Sequence, residues 1–226
     1  MDPLISLELR WFLPGGLPGA VDHWFRQQLP ETEISPADER ADIYLSTPRQ
    51  EDLGIKIRQG KLEIKWREFA KLFTGAHDTK GQVERWIKWS WENPPRAPGA
   101  KTIAAWAPPS GPWITVNKRR WQRKYRWENG IFGPVPPKEV VHLGAVVEVT
   151  ALEIDGRRFG TVLVETFAPD QPTQEKLLDT AVKYLWRDYP SPRPETDQSY
   201  GYPHWLASLV KRRSPAESRH KDKMRD

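Results

Sequence analysis

Between Leu53 and Arg67 apolar and ionic residues alternate around Gln59-Gly60-Lys61. Ile55, Ile57, Leu62, Ile64 and Trp66 share one phase, and Lys56, Arg58, Glu63, Lys65 and Arg67 share the other. Successive side chains of a strand point to opposite faces, so the stretches from Leu53 to Arg58 and from Leu62 to Arg67 predict an antiparallel hairpin with one apolar and one fully ionic face. The alternation recurs. Ser6, Glu8 and Arg10 oppose Leu7, Leu9 and Trp11; Lys118, Arg120, Gln122 and Lys124 share a phase between Thr115 and Tyr125. From Val83 to Trp91, Glu84, Trp86 and Lys88 oppose Val83, Ile87 and Trp89. A second hairpin, Val146 to Ile154 and Phe159 to Phe167, surrounds the turn signal Asp155-Gly156-Arg157-Arg158 and sets Glu148 and Glu165 into otherwise apolar strands.

At least six strands, mostly antiparallel, therefore present ionic side chains on a repeated face. On an open sheet that face meets water; on a sheet closed upon itself it becomes a polar interior. Helical spacing of Val21, Trp24, Phe25 and Gln28 predicts a short helix over 18–29. A second is predicted from Glu175 to Trp186, with Leu177, Leu178, Ala181, Val182 and Leu185 inward and Pro190, Pro192 and Pro194 beyond its end. Tyr200 to Val210 reads as a last short helix or an apolar strap. Residues 31–41 read as a polar connection, and the prolines of 92–112 as a long loop. The expectation is a mainly β (α+β) fold, an antiparallel closed or nearly closed tunnel barrel with flanking helices. Residues 1–210 would form that domain, including the Pro-rich loop 92–112, and 211–226 a basic, disordered tail.

The chain of 226 residues has no cysteine, which removes disulfides, cysteine nucleophiles and cysteine zinc sites from consideration. No apolar run approaches the roughly 20 residues that span a bilayer, and Met1-Asp2-Pro3-Leu4 lacks a basic leader pattern, so the expected location is cytoplasmic and no membrane partner is expected. The net charge of +5 is concentrated at one end: 211–226 holds seven basic and three acidic residues, leaving +1 for 1–210. The tail is thus the place for an acidic or nucleic-acid partner. The five histidines are scattered, and neither a Gly-rich phosphate loop followed by Lys-Ser or Lys-Thr nor a G-x-S-x-G elbow occurs. What remains is the cationic face. Five or more cations turned into a confined space repel one another strongly as water is excluded, and either interspersed acids or a bound polyanion must balance them. Trp86, in phase with Glu84 and Lys88, would then place an indole beside that anion.

Glu8-Leu9-Arg10-Trp11-Phe12-Leu13-Pro14-Gly15, then Asp42-Ile43-Tyr44-Leu45-Ser46-Thr47-Pro48, then Ile55-Lys56-Ile57-Arg58 with Leu62-Glu63-Ile64-Lys65 resemble the opening of the CYTH superfamily. These are the triphosphate tunnel metalloenzymes, which include thiamine-triphosphatases and class IV adenylate cyclases. Lys118-Arg119-Arg120 and the run from Ile154 to Glu165 follow in the order such a protein would use, so the resemblance spans roughly Ile5 to Phe167. It implies a tunnel in which Lys56, Arg58, Lys65, Lys118 and Arg120, with Arg10, hold phosphate oxygens. It also implies that Glu8 and Glu165 hold Mg²⁺ or Mn²⁺ for hydrolysis of a triphosphate or polyphosphate. The family's E-x-E-x-K opening reads Ser6-x-Glu8-x-Arg10 here, and its late E-x-E reads Glu165-x-Phe167, so each carboxylate pair has lost one member. One of Glu84, Glu148, Glu153 or Asp155 is left to supply a third acid, since magnesium needs only one or two protein carboxylates. No catalytic residue is assigned. Two alternatives stand beside a phosphohydrolase: a catalytically inactive tunnel serving as sensor or protein-interaction module, and a nucleic-acid-binding β protein.

Overall fold

A computed structural model describes residues 2–28, 34–92 and 112–211. Its strands are β1 (Leu4–Pro14), β2 (Asp38–Leu45), β3 (Leu53–Arg58), β4 (Lys61–Thr74), β5 (Lys80–Trp91), β6 (Trp113–Glu128), β7 (Ile131–Val135), β8 (Gly144–Ile154) and β9 (Arg157–Phe167). They lie in the order β2-β3-β4-β5-β1-β9-β8-β6-β7, and β2 pairs back onto β6. Eight antiparallel strands thereby close into a barrel, with β7 a short extension of β6 beyond it. Closure turns the ionic phase inward and disposes of the open sheet. Registers are set by Gln59-Gly60, Asn129-Gly130 and Asp155-Gly156, whose central residues all have positive φ, as two-residue turns between right-twisted strands require.

Three elements depart from expectation. Residues 38–41, read as part of a polar connection, are the start of β2, whose partner Arg120 lies opposite Asp38. β7 was not expected. β4 continues to Thr74 through an irregularity between Arg67 and Phe69 that shifts the phase of alternation, so Phe69 and Phe73 pack on the outside of the barrel. The Pro-rich loop, apart from Glu92 and Pro112, and the basic tail beyond Lys211 lie outside the described residues. Among the described residues no helix is long and apolar enough to cross a membrane.

The main core sits against the outer wall. Leu7, Leu9 and Trp11 of β1, with Val147, Val149, Val162 and Val164, meet Leu178, Ala181, Val182 and Leu185 of α2 (Gln171–Leu185). Trp24 and Phe25 join that core from the π-helical turn (Trp24–Gln28) that continues α1 (Gly19–His23). α2 begins earlier than its apolar spacing suggests, because Asp170 accepts a hydrogen bond from the Thr173 backbone N–H at 2.9 Å and a proline occupies the first turn. A second core fills one end of the barrel. There α3 (Tyr202–Lys211) sets Trp205, Leu206 and Leu209 against Phe12, Tyr44, Val116, Leu152 and Ile154. The chain enters α3 through Ser199, which bridges to Trp11 and accepts the Gln82 N–H on its hydroxyl at 2.7 Å.

Candidate functional site

The barrel interior holds an open-mouthed cavity of about 120 Å³. Lys56 and Arg58 reach it from β3, Lys65 from β4, Lys118 and Arg120 from β6, Arg10 and Glu8 from β1, and Glu165 from β9. Every one of the basic and acidic residues expected at the site therefore shares one concave interior. Sequence reasoning missed Arg40, because β2 was not recognised; yet Asp38, Arg40, Asp42 and Tyr44 alternate with Glu39, Ala41, Ile43 and Leu45, the same signal that betrayed the other strands. It also left out Lys88 and Tyr202, which line the cavity. Lys124, in phase with Lys118 and Arg120, does not enter; its ammonium donates to the Glu139 carbonyl at 2.9 Å.

Eight basic and four acidic residues line the cavity, and most of the cations are tied to acids. Arg10 reaches Glu148 at 3.3 Å and Glu8 at 3.6 Å, and Lys65 pairs with the other oxygen of Glu8. Lys56 lies 3.1 Å from Glu63 and 3.2 Å from Asp42. Asp42, fully buried, also receives Lys118 at 3.0 Å and Arg40 at 2.9 Å. Arg120 reaches Asp38 at 2.7 Å and Glu148 at 3.4 Å, while Arg58 pairs with Glu63. Burial by itself would raise the carboxyls of Glu8, Glu63 and Glu148. The facing cations overturn that and hold all three down at about 2: Lys65 and Arg10 for Glu8, Lys56 and Arg58 for Glu63, Arg120 and Arg10 for Glu148.

Two ammonium groups yield instead. Burial pushes Lys118 down to about 7 and Lys56 to about 8 despite the shared Asp42. Lys118 is further enclosed by the Tyr44 hydroxyl at 2.6 Å and the Tyr202 ring, whose centroid lies 3.7 Å away. Lys88 differs from the rest. It stands directly across from Lys65 in the β4–β5 pairing, and among the described residues no carboxylate lies within ion-pair distance of it. Burial first, and Lys65 next, lower its pKa against the attraction of Glu63 and Glu165. Trp86 lies against this pair, buried, with its indole N–H donated to Glu84 at 3.0 Å and Lys65 over its ring at 5.6 Å.

The carboxylates bear on metal binding. Glu8 and Glu165 are cross-strand partners, and burial together with Glu8 raises the Glu165 carboxyl. Of the four candidates for a third acid, only Glu148 lines the cavity. Glu84 is held by Arg67 at 2.6 Å and by Trp86; Glu153 faces an open groove on the outside, and Asp155 sits in the β8–β9 turn. Among the described residues no three metal-ligating side chains gather as a metal-holding group. Phe167, where the family pattern has an acid, packs with Val135, Val141 and Val146.

No protein-family model matches the chain, and no curated protein does. Among solved structures it is similar to HpAC1 from Hippeastrum, a candidate adenylyl cyclase described as revealing a dominant triphosphatase activity. The likeness has 14% identity over 82% of this chain and 91% of that one, with a TM-score of 0.37. The barrel stands on its own strand register, closed by the β2–β6 pairing.

Proposed function

We propose that the barrel interior binds a phosphate-rich small molecule, a triphosphate, nucleotide or polyphosphate, and that metal-assisted phosphohydrolysis is the chemistry open to it. The observation that carries this is the Lys65–Lys88 pair. Like charges directly opposite on adjacent strands destabilise a sheet, and here Lys88 faces the cavity with no carboxylate within ion-pair distance among the described residues, Glu63 and Glu165 offsetting its charge only from further off. A bound polyanion removes that conflict and neutralises the cationic surplus of the lining. Charge-assisted hydrogen bonds from Lys88, Lys65, Arg58 and Arg120 would orient successive phosphates.

Glu8 and Glu165 fit a divalent ion held jointly with phosphate oxygens, in which the ion keeps waters and needs only one or two protein carboxylates; they do not fit an all-protein cage. Glu165 is the more available of the two, since both oxygens of Glu8 face cations. When bound, such an ion supplies charge neutralisation and polarisation of a phosphoryl oxygen. The substitution of acids by Ser6 and Phe167 favours binding over rapid turnover, because Phe167 is committed to an apolar cluster and Ser6 offers a hydroxyl, 3.4 Å from Glu8. A tunnel that senses its ligand without hydrolysing it is therefore the second reading.

Thermal melting with tripolyphosphate, with and without Mg²⁺ or Mn²⁺, tests the proposal. Stabilisation beyond that given by monophosphate at equal ionic strength is expected. Its absence under every metal condition would remove the ligand-binding reading and leave an interaction module ahead.

A further inference from the structure

The wall formed by β3, β4 and β5 has a second face. Outward from the barrel, Ile87, Trp66 and Leu53 stand side by side on the three strands, Trp89, Ile64 and Ile55 form the next row, and Trp91 opens a third. Trp66 is 45% exposed, and its five neighbours in the first two rows are half-buried. None of them belongs to the cores that the helices build on the outer wall and in the barrel end. No charged side chain interrupts the three rows, because the alternation that sends Lys56, Lys65 and Lys88 into the cavity sends only apolar residues out. The borders are neutral as well: Arg85 pairs with Glu68 at one end, and Lys61 with Glu92 at the other.

We infer that this face joins two copies of the chain about a two-fold axis. Strand spacing of about 4.8 Å and a rise of about 3.4 Å per residue, with about 5 Å of side-chain reach at each edge, give three rows across three strands roughly 450 Å². Contiguous exposed apolar surface of that size commonly marks an interaction site. It is also close to the apolar share, about 65%, of the roughly 800 Å² that each partner gives to a stable interface. Each of the three strands is hydrogen-bonded on both sides, so a partner meets side chains and no free backbone edge; the packing is sheet on sheet, about 10 Å apart. A second copy satisfies these conditions best. The patch carries no charge, so it meets its own image without like-charge conflict, as an isologous contact requires. A membrane surface would be met by unpaired basic residues around the patch, and here the bordering Lys61 and Arg85 are each tied to a carboxylate.

The test uses the full chain without ligand. Sedimentation equilibrium between about 1 and 100 µM should show monomer and dimer in exchange, with a dissociation constant below about 10 µM. Trp66→Lys should raise that constant at least about 30-fold and remove the dependence of the melting temperature on protein concentration. Because the chain contains no cysteine, Ile64→Cys supplies a single thiol in the middle row of the patch. A bismaleimide of about 10 Å reach, the separation of two packed sheets, should link two copies of that variant. The same reagent should leave Leu72→Cys, exposed on the far half of β4, unlinked. A monomer throughout the concentration range would overturn the inference, and so would a dimer that Trp66→Lys leaves intact and Ile64→Cys does not cross-link. A monomer that sediments with vesicles of phosphatidylcholine and phosphatidylserine would assign the face to a membrane, and one whose Ile64→Cys thiol reacts only after unfolding would assign it to cover by its own chain; either result overturns the two-fold interface.

Discussion

Two cations of the cavity make opposite predictions, because one is paired and the other is not. Arg10 is buried between Glu8 and Glu148, so Arg10→Ala removes one charged partner from each, leaving Lys65 on Glu8 and Arg120 on Glu148, and a loss of about 1–3 kcal/mol is expected in urea unfolding. Lys88 faces Lys65 across the strands with no carboxylate within ion-pair distance among the described residues, Glu63 and Glu165 acting on it only from further off. Its replacement by methionine keeps the stem's packing and relieves repulsion, so the ligand-free protein should melt at the same temperature or higher. Tripolyphosphate affinity should nevertheless fall about tenfold, or about 1.4 kcal/mol, in calorimetry. A Lys88→Met protein that melts lower yet binds normally would place the residue in the structure and not in the site. The sequence held half of this contrast. Alternation told which cations share a face, but the partner of each depends on register across strands far apart in the chain, such as Arg10 with Glu148, and no local pattern encodes that.

At the scale of elements, legibility followed the regularity of the local pattern. The β3–β4 hairpin was plain because apolar and ionic residues alternate without interruption up to Arg67, and the prediction stopped where the irregularity at Arg67–Phe69 changes the phase. β2 was hidden because its outward residues begin with Glu39 and Ala41, so its first half lacks an apolar side; a closed or nearly closed barrel was expected from the repeated ionic face, but the pair that closes it, β2 with β6, was not legible. The last segment was legible as apolar but not as a plug, because only the assembled barrel shows what Trp205 and Leu206 fill. Two substitutions measure these elements. Trp205→Ala opens a void in the plug and should cost about 3–5 kcal/mol, with the deep cations gaining water. Asp170→Ala removes the α2 cap, leaving the Thr173 N–H to solvent, and should cost only about 1 kcal/mol in the same unfolding measurement.

For the molecule as a whole, the barrel is an ionic interior wrapped by an apolar exterior core, so pH acts on it from within. Glu63 and Glu148 have folded-state values near 2, below their ordinary range, so their contribution is complete above about pH 4.5 and is lost as pH falls toward 2. Acid unfolding should accordingly be steep in that interval. Lys118 and Lys56 work in the other direction. Their folded-state values of about 7 and 8 lie below that of a free lysine, so the unfolded chain binds more protons than the folded one from about pH 7 to 10.5, and this pair makes stability rise with pH across that window. The groups facing Lys118 are Asp42, Glu148, Tyr44, Arg40, Arg10, Lys56 and Tyr202, and both acids are already shared, Asp42 with Lys56 and Arg40, Glu148 with Arg10 and Arg120. An anion entering the cavity beside Lys118 and Lys56 adds negative charge there and favours the protonated lysines. Binding of tripolyphosphate near pH 8 should therefore take up protons, and affinity should weaken as pH rises above about 7, although the ligand itself is then more fully ionised. Calorimetry in two buffers of different ionisation enthalpy reads the uptake directly. Binding that releases protons, or that strengthens steadily to pH 9, would show that the phosphate never reaches Lys118.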